Sequence, residues 1–333
     1  MEGLKAGTPV DLPQVQAQLD RRRPGQSLVT SQRREDDRVE FMAGLQESVT
    51  SGEPLVAVIR NRDVQSNSYN DVRRVPRPGH GDYTARMKYA GNSDLRGGGQ
   101  LSGRMTAPLV VSGAVARQAL ASLGVRFHAH ASQIADVVAM PATPEEIEAN
   151  VERTPARCAD LEAAGRMVAA IEAARMIRDS VGGIIEGIVT GLPVGVGEPF
   201  FGSLEASLAQ LFFSIPAVKG VDFGAGFRAA TMRGSEHNDS FVVRDGRVAT
   251  ATNHAGGILG GISTGMPVVF RVVVKPTASI AKPQRSVDLE AMTETEIVVT
   301  GRHDPCIVPR AVPVVENMAA IAVLDLALQG GFL

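Results

Sequence analysis

Apolar residues recur along this chain at two periods, and the switches between them divide it into elements. Asp11 can cap a short helix with Pro13 in its first turn, and Val15 with Leu19 marks the buried face. Arg23-Pro24-Gly25 ends it. Residues 38–60 read as two or three strands, with Ser51–Glu53 as a turn and Leu55–Ile59 as a buried strand. Helical spacing returns from Pro108 to Leu123, between a Thr106 cap and a Gly124 stop, and again from Leu161 to Ile177. Thr143–Glu146 has the form of a capping box with proline at the first helical position. Gly182–Pro193 reads as a strand, and Ser203 caps a helix whose Leu204, Leu208, Leu211, Phe212 and Ile215 share one face. Asp245-Gly246 between apolar triplets signals a hairpin, and a last helix runs from about Val315 to Leu328. Strands come in adjacent groups instead of alternating strictly with helices, which predicts an α+β fold.

Two stretches break this pattern. From Asn253 to Ser279 a glycine-dense loop (Gly256, Gly257, Gly260, Gly261, Gly265) runs into an apolar strand, Pro267–Val274, that ends in Lys275, Pro276, Thr277 and Ser279. Glycines let a backbone approach a ligand, and a lysine with hydroxyls at a strand exit supplies charge and short donors. From Asn61 to Thr106 the chain is polar and rich in Arg and Gly, a length that in a compact domain signals function or disorder. His80 stands in this stretch, with Arg77 three residues before it and Asp82 two after, a setting that can tune an imidazole for acid–base work.

Composition narrows the function. The net charge of −2 across 333 residues excludes a general pull toward nucleic acid or acidic membranes. Arginines instead cluster locally, at 21–23, 33–34 and 73, 74 and 77, which suits a small anionic ligand. Two distant cysteines, Cys158 and Cys306, argue against a disulfide framework or zinc site and fit a cytoplasmic protein. No apolar run long enough for a membrane span is read, nor a signal peptide.

The weaker motifs are held against plainer readings. Gly224–Ala229 matches GxGxxA after a short strand, Val218–Phe223, but leads into a polar loop where a dinucleotide site needs a helix, so NADP binding there is a third-ranked reading. His128 and His130 share one side of a strand, read by default as a solvated face. Gly301–Cys306, GRHDPC, packs Arg, His and Asp after an apolar strand and can place a base beside an anionic substrate.

Taken together, DRRRPG (20–25), RPGHGDYT (77–84), RGGGQLSGR (96–104), DSVGG (179–183), GLPVGVGEPFF (191–201), SIPAVKGVDFG (214–224), GSEHND (234–239), the 253–279 run, GRHDPC and AVPVVENM (311–318) resemble the chorismate synthase family in order and along the whole chain. The resemblance implies a single α+β domain over residues 1–333, a β-α-β sandwich, assembled as a homotetramer. It implies 1,4-anti elimination of phosphate from 5-enolpyruvylshikimate 3-phosphate to give chorismate, with reduced FMN and no net redox change. A separate flavin reductase or chemical reductant is implied as the source of that flavin.

By position, the resemblance assigns Arg22, Arg104 and Arg302 to substrate anions. It assigns Ser102, Ala217, Gly260, Lys275, Pro276, Thr277, Ala278, Ser279 and Arg302 to the flavin, and His80 and Asp304 to catalysis. Three departures stand out. The family's GESHG segment falls upstream of the point matching Met1, so a sequence lacking its true N-terminus is the first reading and a catalytically impaired paralogue retaining flavin and anion binding the second. Gln100 and Met105 replace an arginine and a glutamate, and Leu28 replaces an arginine.

Overall fold

The computed structural model describes residues 1–26, 37–60, 73–92, 96–301 and 303–333. Its helices are α1 (Leu12–Arg22), α2 (Asp82–Lys88), α3 (Thr106–Ala121), α4 (Pro144–Asn150), α5 (Leu161–Met176), α6 (Leu204–Phe213), α7 (Gly234–His237) and α8 (Val308–Gln329). The strands are β1 (Val39–Ala43), β2 (Leu45–Gln46), β3 (Val49–Thr50), β4 (Val56–Ile59), β5 (Arg126–Ile134), β6 (Val137–Val138), β7 (Gly183–Thr190), β8 (Val218–Phe223), β9 (Phe241–Arg244) and β10 (Arg247–Thr250), followed by β11 (Ile258–Leu259), β12 (Ile262–Ser263), β13 (Val268–Val274), β14 (Gln284–Asp288) and β15 (Thr293–Ile297).

An antiparallel sheet in the order β6-β5-β7-β13-β8 carries the core. On β13, Val268, Phe270, Val272 and Val274 alternate inward, as period-two patterning requires. Phe270 sits over Gly187 of β7, where an added Cβ would stand 2.2 Å from its ring. It also packs against Phe212 of α6 with ring centroids 4.6 Å apart. On the face carrying Arg271, the register aligns His130, Glu186, Arg271 and Asp222 in one cross-strand row, and Arg271 binds Asp222 with both arms, at 2.8 and 2.7 Å. α8 lies across β5 and β7, α3 packs along α8, α1 along α3, and β4 against α3. This gives sheet, helices and a smaller β1–β4 ribbon in succession, an α+β architecture.

Local chemistry accounts for the helix ends. The Asp11 side chain accepts from Gln14 N, Ser203 from Ala206 N, and Thr143 forms the full capping box with Glu146. Asp245 and Gly246 take positive φ of 50° and 73° between β9 and β10, the left-handed pair that a tight hairpin demands.

Several sequence expectations are corrected. α8 begins at Val308, seven residues before the predicted start, despite Pro309 and Pro313. Pro313 has no N–H for the carbonyl of Pro309, and Arg157 Nη1 supplies that donor at 2.8 Å. By length and composition α8 could cross a membrane, contrary to the sequence reading, but 83% of its apolar window is buried inside the fold, as in a core helix. Leu55 is buried, yet Val56 and Val58 are exposed, because among the described residues β4 pairs only with β1, in a two-stranded ribbon. His128 and His130 are both buried. The described part of the long polar stretch holds α2 and two 3-10 turns, Arg96–Leu101 and Gly103–Met105. Gly224–Ala229 leads into a 3-10 turn, Gly226–Thr231, and opens no dinucleotide-binding helix.

Candidate active site

A cavity of about 520 Å³ opens where α1, the loop before α2, α8, the 102–106 turn, the start of β8 and the exit of β13 converge. That volume suits a small-molecule site. Of the positions singled out in the sequence, Arg22, His80, Ser102, Arg104, Ala217, Lys275, Pro276, Thr277, Ala278, Ser279 and Asp304 line it. Arg302 lies outside the described residues, as does Leu28. Gly260 does not line the cavity: it sits at φ +63° in the turn between β11 and β12, and only the strand that follows that loop reaches the site.

Arg22, at the end of α1, is buried and donates to Thr106 Oγ1 (3.1 Å), Asp37 Oδ2 (2.7 Å) and the Gly103 carbonyl (2.9 Å). Ser102 caps the turn that carries Arg104, its Oγ accepting from Arg104 N at 3.3 Å. Across the cavity, Lys275 leaves β13 and donates to the Gly79 carbonyl at 2.6 Å, tying the His80 loop to the sheet. Burial, then the neighbouring Lys219, pull the Lys275 ammonium below its usual range. Ala217 holds φ +76°, a left-handed conformation uncommon outside glycine, and its carbonyl accepts from Lys275 N at 3.0 Å. Thr277 Oγ1 is buried and has no hydrogen-bond partner among the described residues.

His80 Nδ1 stands 2.7 Å from Asp82 Oδ1 at the start of α2, and Arg77 reaches both residues and Ser279 Oγ. Asp304 precedes α8 and pairs with Arg310 Nη1 at 2.7 Å, while Arg310 Nε donates to the carbonyl of Arg22 at 3.1 Å. Burial pushes the neighbouring Cys306 thiol up to about 12. Lys219 and Arg310 were missed in the sequence. Their signal was a single charge in apolar surroundings, in SIPAVKG and in the first turn of a helix hidden by prolines.

The described lining residues bring six cations, Arg22, Arg77, Arg104, Lys219, Lys275 and Arg310, together with one carboxylate, Asp304, which pairs with Arg310, while Asp37 and Asp82 behind the lining pair with Arg22 and Arg77. Cations gathered in a low-dielectric cleft raise the local potential and select anions.

A sequence profile of the chorismate synthases matches residues 1–328. The chain belongs to the chorismate synthase family. It is 52% identical over 333 residues to a chorismate synthase of Methanocella arvoryzae, covering 100% of this chain and 89% of that one. It is 50% identical over 325 residues to that of Korarchaeum cryptofilum, covering 98% and 90%. A crystal structure of chorismate synthase superposes with a TM-score of 0.76 at 26% identity, covering 98% of this chain and 86% of the other. The α+β fold is thus that of the chorismate synthases. Membership carries the family's lyase activity on a phosphate ester, and no finding favours an impaired paralogue.

Proposed function

We propose that this cavity binds reduced FMN and 5-enolpyruvylshikimate 3-phosphate and forms chorismate. The observation that carries the reading is the set of six lining cations, which outnumber the three carboxylates, Asp37, Asp82 and Asp304, that pair with Arg22, Arg77 and Arg310. The substrate bears one phosphate and two carboxylates, and such a lining offsets their desolvation. Arg22 and Arg104 bind substrate anions in this reading, as does Arg302.

The residues present fit a flavin. Thr277 Oγ1 is a buried polar atom awaiting a partner, and the 275–279 segment, Ser102 and the strained Ala217 backbone surround the same space. When bound, the reduced flavin supplies an electron-rich ring system with no net redox change. The protein's own part is to hold the anions, to place Asp304 for removal of the C6 proton, and to hold a proton on His80. The C6–H and C3–O bonds break, phosphate leaves with the C–O electron pair, and the electrons of the C–H bond complete the diene.

In this reading the protein is a cytoplasmic homotetramer; Phe200, Phe201, Phe227, Phe241, Val243 and Val248 are largely exposed, apolar surface that an assembly would cover, and light scattering tests the number of copies. The function is tested by anaerobic assay with dithionite-reduced FMN, since a separate reductant is part of the reading. Chorismate formation supports it. Tight binding of both ligands without turnover would favour the binding-only alternative.

A further inference from the structure

Asp82 is almost fully buried and touches no space in the cavity, yet it organises two residues that do. Arg77 donates to it three times: backbone N to Oδ2 (3.1 Å), Nε to Oδ2 (2.7 Å) and Nη2 to Oδ1 (2.8 Å). Burial opposes its ionisation, but hydrogen bonds from Arg77 and then His80 outweigh that and hold the carboxyl well below the usual range. Oδ1 is therefore a carboxylate oxygen shared by Arg77 Nη2 and His80 Nδ1, the latter at 2.7 Å.

Arg77 Nη2 also lies 3.1 Å from His80 Nδ1 and 3.3 Å from Nε2. A guanidinium nitrogen can only donate, and Nη2 carries two N–H groups, of which Oδ1, the nearer acceptor, takes one. The other faces the ring and can meet only a nitrogen that carries no proton. An acceptor-only carboxylate facing Nδ1 requires the proton to sit on Nδ1.

We propose that Asp82 is a positioning residue that fixes His80 with its proton on Nδ1, so that any proton His80 exchanges with a ligand is the one on Nε2. Nδ1 keeps its proton in both charge states of the ring. Arg77 fixes Asp82 in turn, and through Ser279 Oγ at 3.1 Å it joins this pair to the 275–279 wall. The functional consequence rests on the reading of His80 as a proton-holding group of the cavity; the tautomer does not.

The test is 15N NMR of the imidazole nitrogens in the flavin-free protein, with His80 assigned by the signal lost in His80→Gln. Neutral His80 should show a protonated Nδ1 and a lone-pair Nε2. In Asp82→Asn the amide oxygen turns to Arg77 and the NH2 faces His80, which makes Nδ1 an acceptor and moves the proton to Nε2. The two nitrogen signals should then exchange character. In the assay, kcat should fall about 10²–10⁴-fold while KM stays within about threefold. A wild-type ring protonated on Nε2 overturns the proposal, and that outcome does not depend on Asp82→Asn folding. An exchange of signals with unchanged kcat leaves the tautomer assignment standing and overturns the role of His80 in the reaction.

Discussion

Arg310 and Asp304 face each other at 2.7 Å where α8 meets the cavity, and the same guanidinium donates to the carbonyl of Arg22 at 3.1 Å. One side chain thus sets the proposed base against the end of the helix that carries Arg22, the arginine proposed to bind substrate anions. Arg310→Ala should lower kcat by about 10²-fold, the scale of a misplacement near 1 Å. Arg310→Lys keeps the charge but cannot serve both acceptors with a fork, so it should recover only part of the loss. Steady-state kinetics under anaerobic conditions decide this; an Arg310→Ala enzyme with normal kcat would show that Asp304 does not depend on the pair.

A second charged cluster serves the fold. Glu316 of α8 is buried, with Oε1 accepting from Ala129 N at 3.1 Å and Oε2 from Arg21 and from Arg117 at 3.1 Å. Glu316→Gln removes the charge that Arg21 and Arg117 share and should destabilise the protein by about 3–5 kcal/mol at neutral pH. Burial acts to raise the Glu316 carboxyl, but the two arginines outweigh it and hold it below its ordinary value of 4.5. The unfolded chain therefore takes up this proton at higher pH than the folded one. Its stabilisation is complete above about 4.5 and is lost as pH falls through the lower folded value. Urea unfolding of both proteins should show a gap that narrows below that pH; a gap independent of pH would contradict the assignment.

How far the sequence carried can be judged from particular residues. Asp11, Thr143, Ser203 and Asp245-Gly246 act through backbone groups within a few residues, so their caps and turn were legible. The start of α8 was not, because the donor that replaces the Pro313 N–H is Arg157, distant in sequence. The burial of His130 on the face carrying Arg271 depends on the strand register and on the distant Ala159, whose N–H donates to His130 Nδ1 at 3.4 Å, neither of which a local pattern reports. In the site, long motifs pointed to Arg22, His80 and the 275–279 segment, which the fold brings to one cavity. Lys219 and Arg310 needed the fold, since each is one charge whose meaning comes from residues far along the chain.

Close approach of α3 to α8 gives a stability test with its own control. A Cβ added at Gly113 would stand 2.3 Å from both Cβ and O of Asn317, a backbone collision that rotamers cannot relieve. Gly113→Ala should therefore cost about 1–3 kcal/mol by forcing the helices apart. Gly165, inside α5, has nothing within 4 Å of such a Cβ. Gly165→Ala should stabilise by about 0.5–1 kcal/mol through helix propensity alone. Denaturant midpoints measure both, and equal signs for the two variants would refute the packing argument.

Thr277 separates the needs of the ligand from those of the fold. Its Oγ1 is buried without a partner among the described residues, a state that costs about 1–3 kcal/mol for a polar group. Thr277→Val keeps the shape and removes that group, so the ligand-free variant should be as stable as the parent or more so. If FMN supplies the missing partner, the same change should weaken FMN binding by about 0.5–1.5 kcal/mol, roughly 2–10-fold in Kd. Thermal melting without flavin and fluorescence titration with it give the two numbers. Opposite signs tie the hydroxyl to the ligand. A loss of stability without flavin and an unchanged Kd would instead make Thr277 a fold residue and remove it from the flavin site.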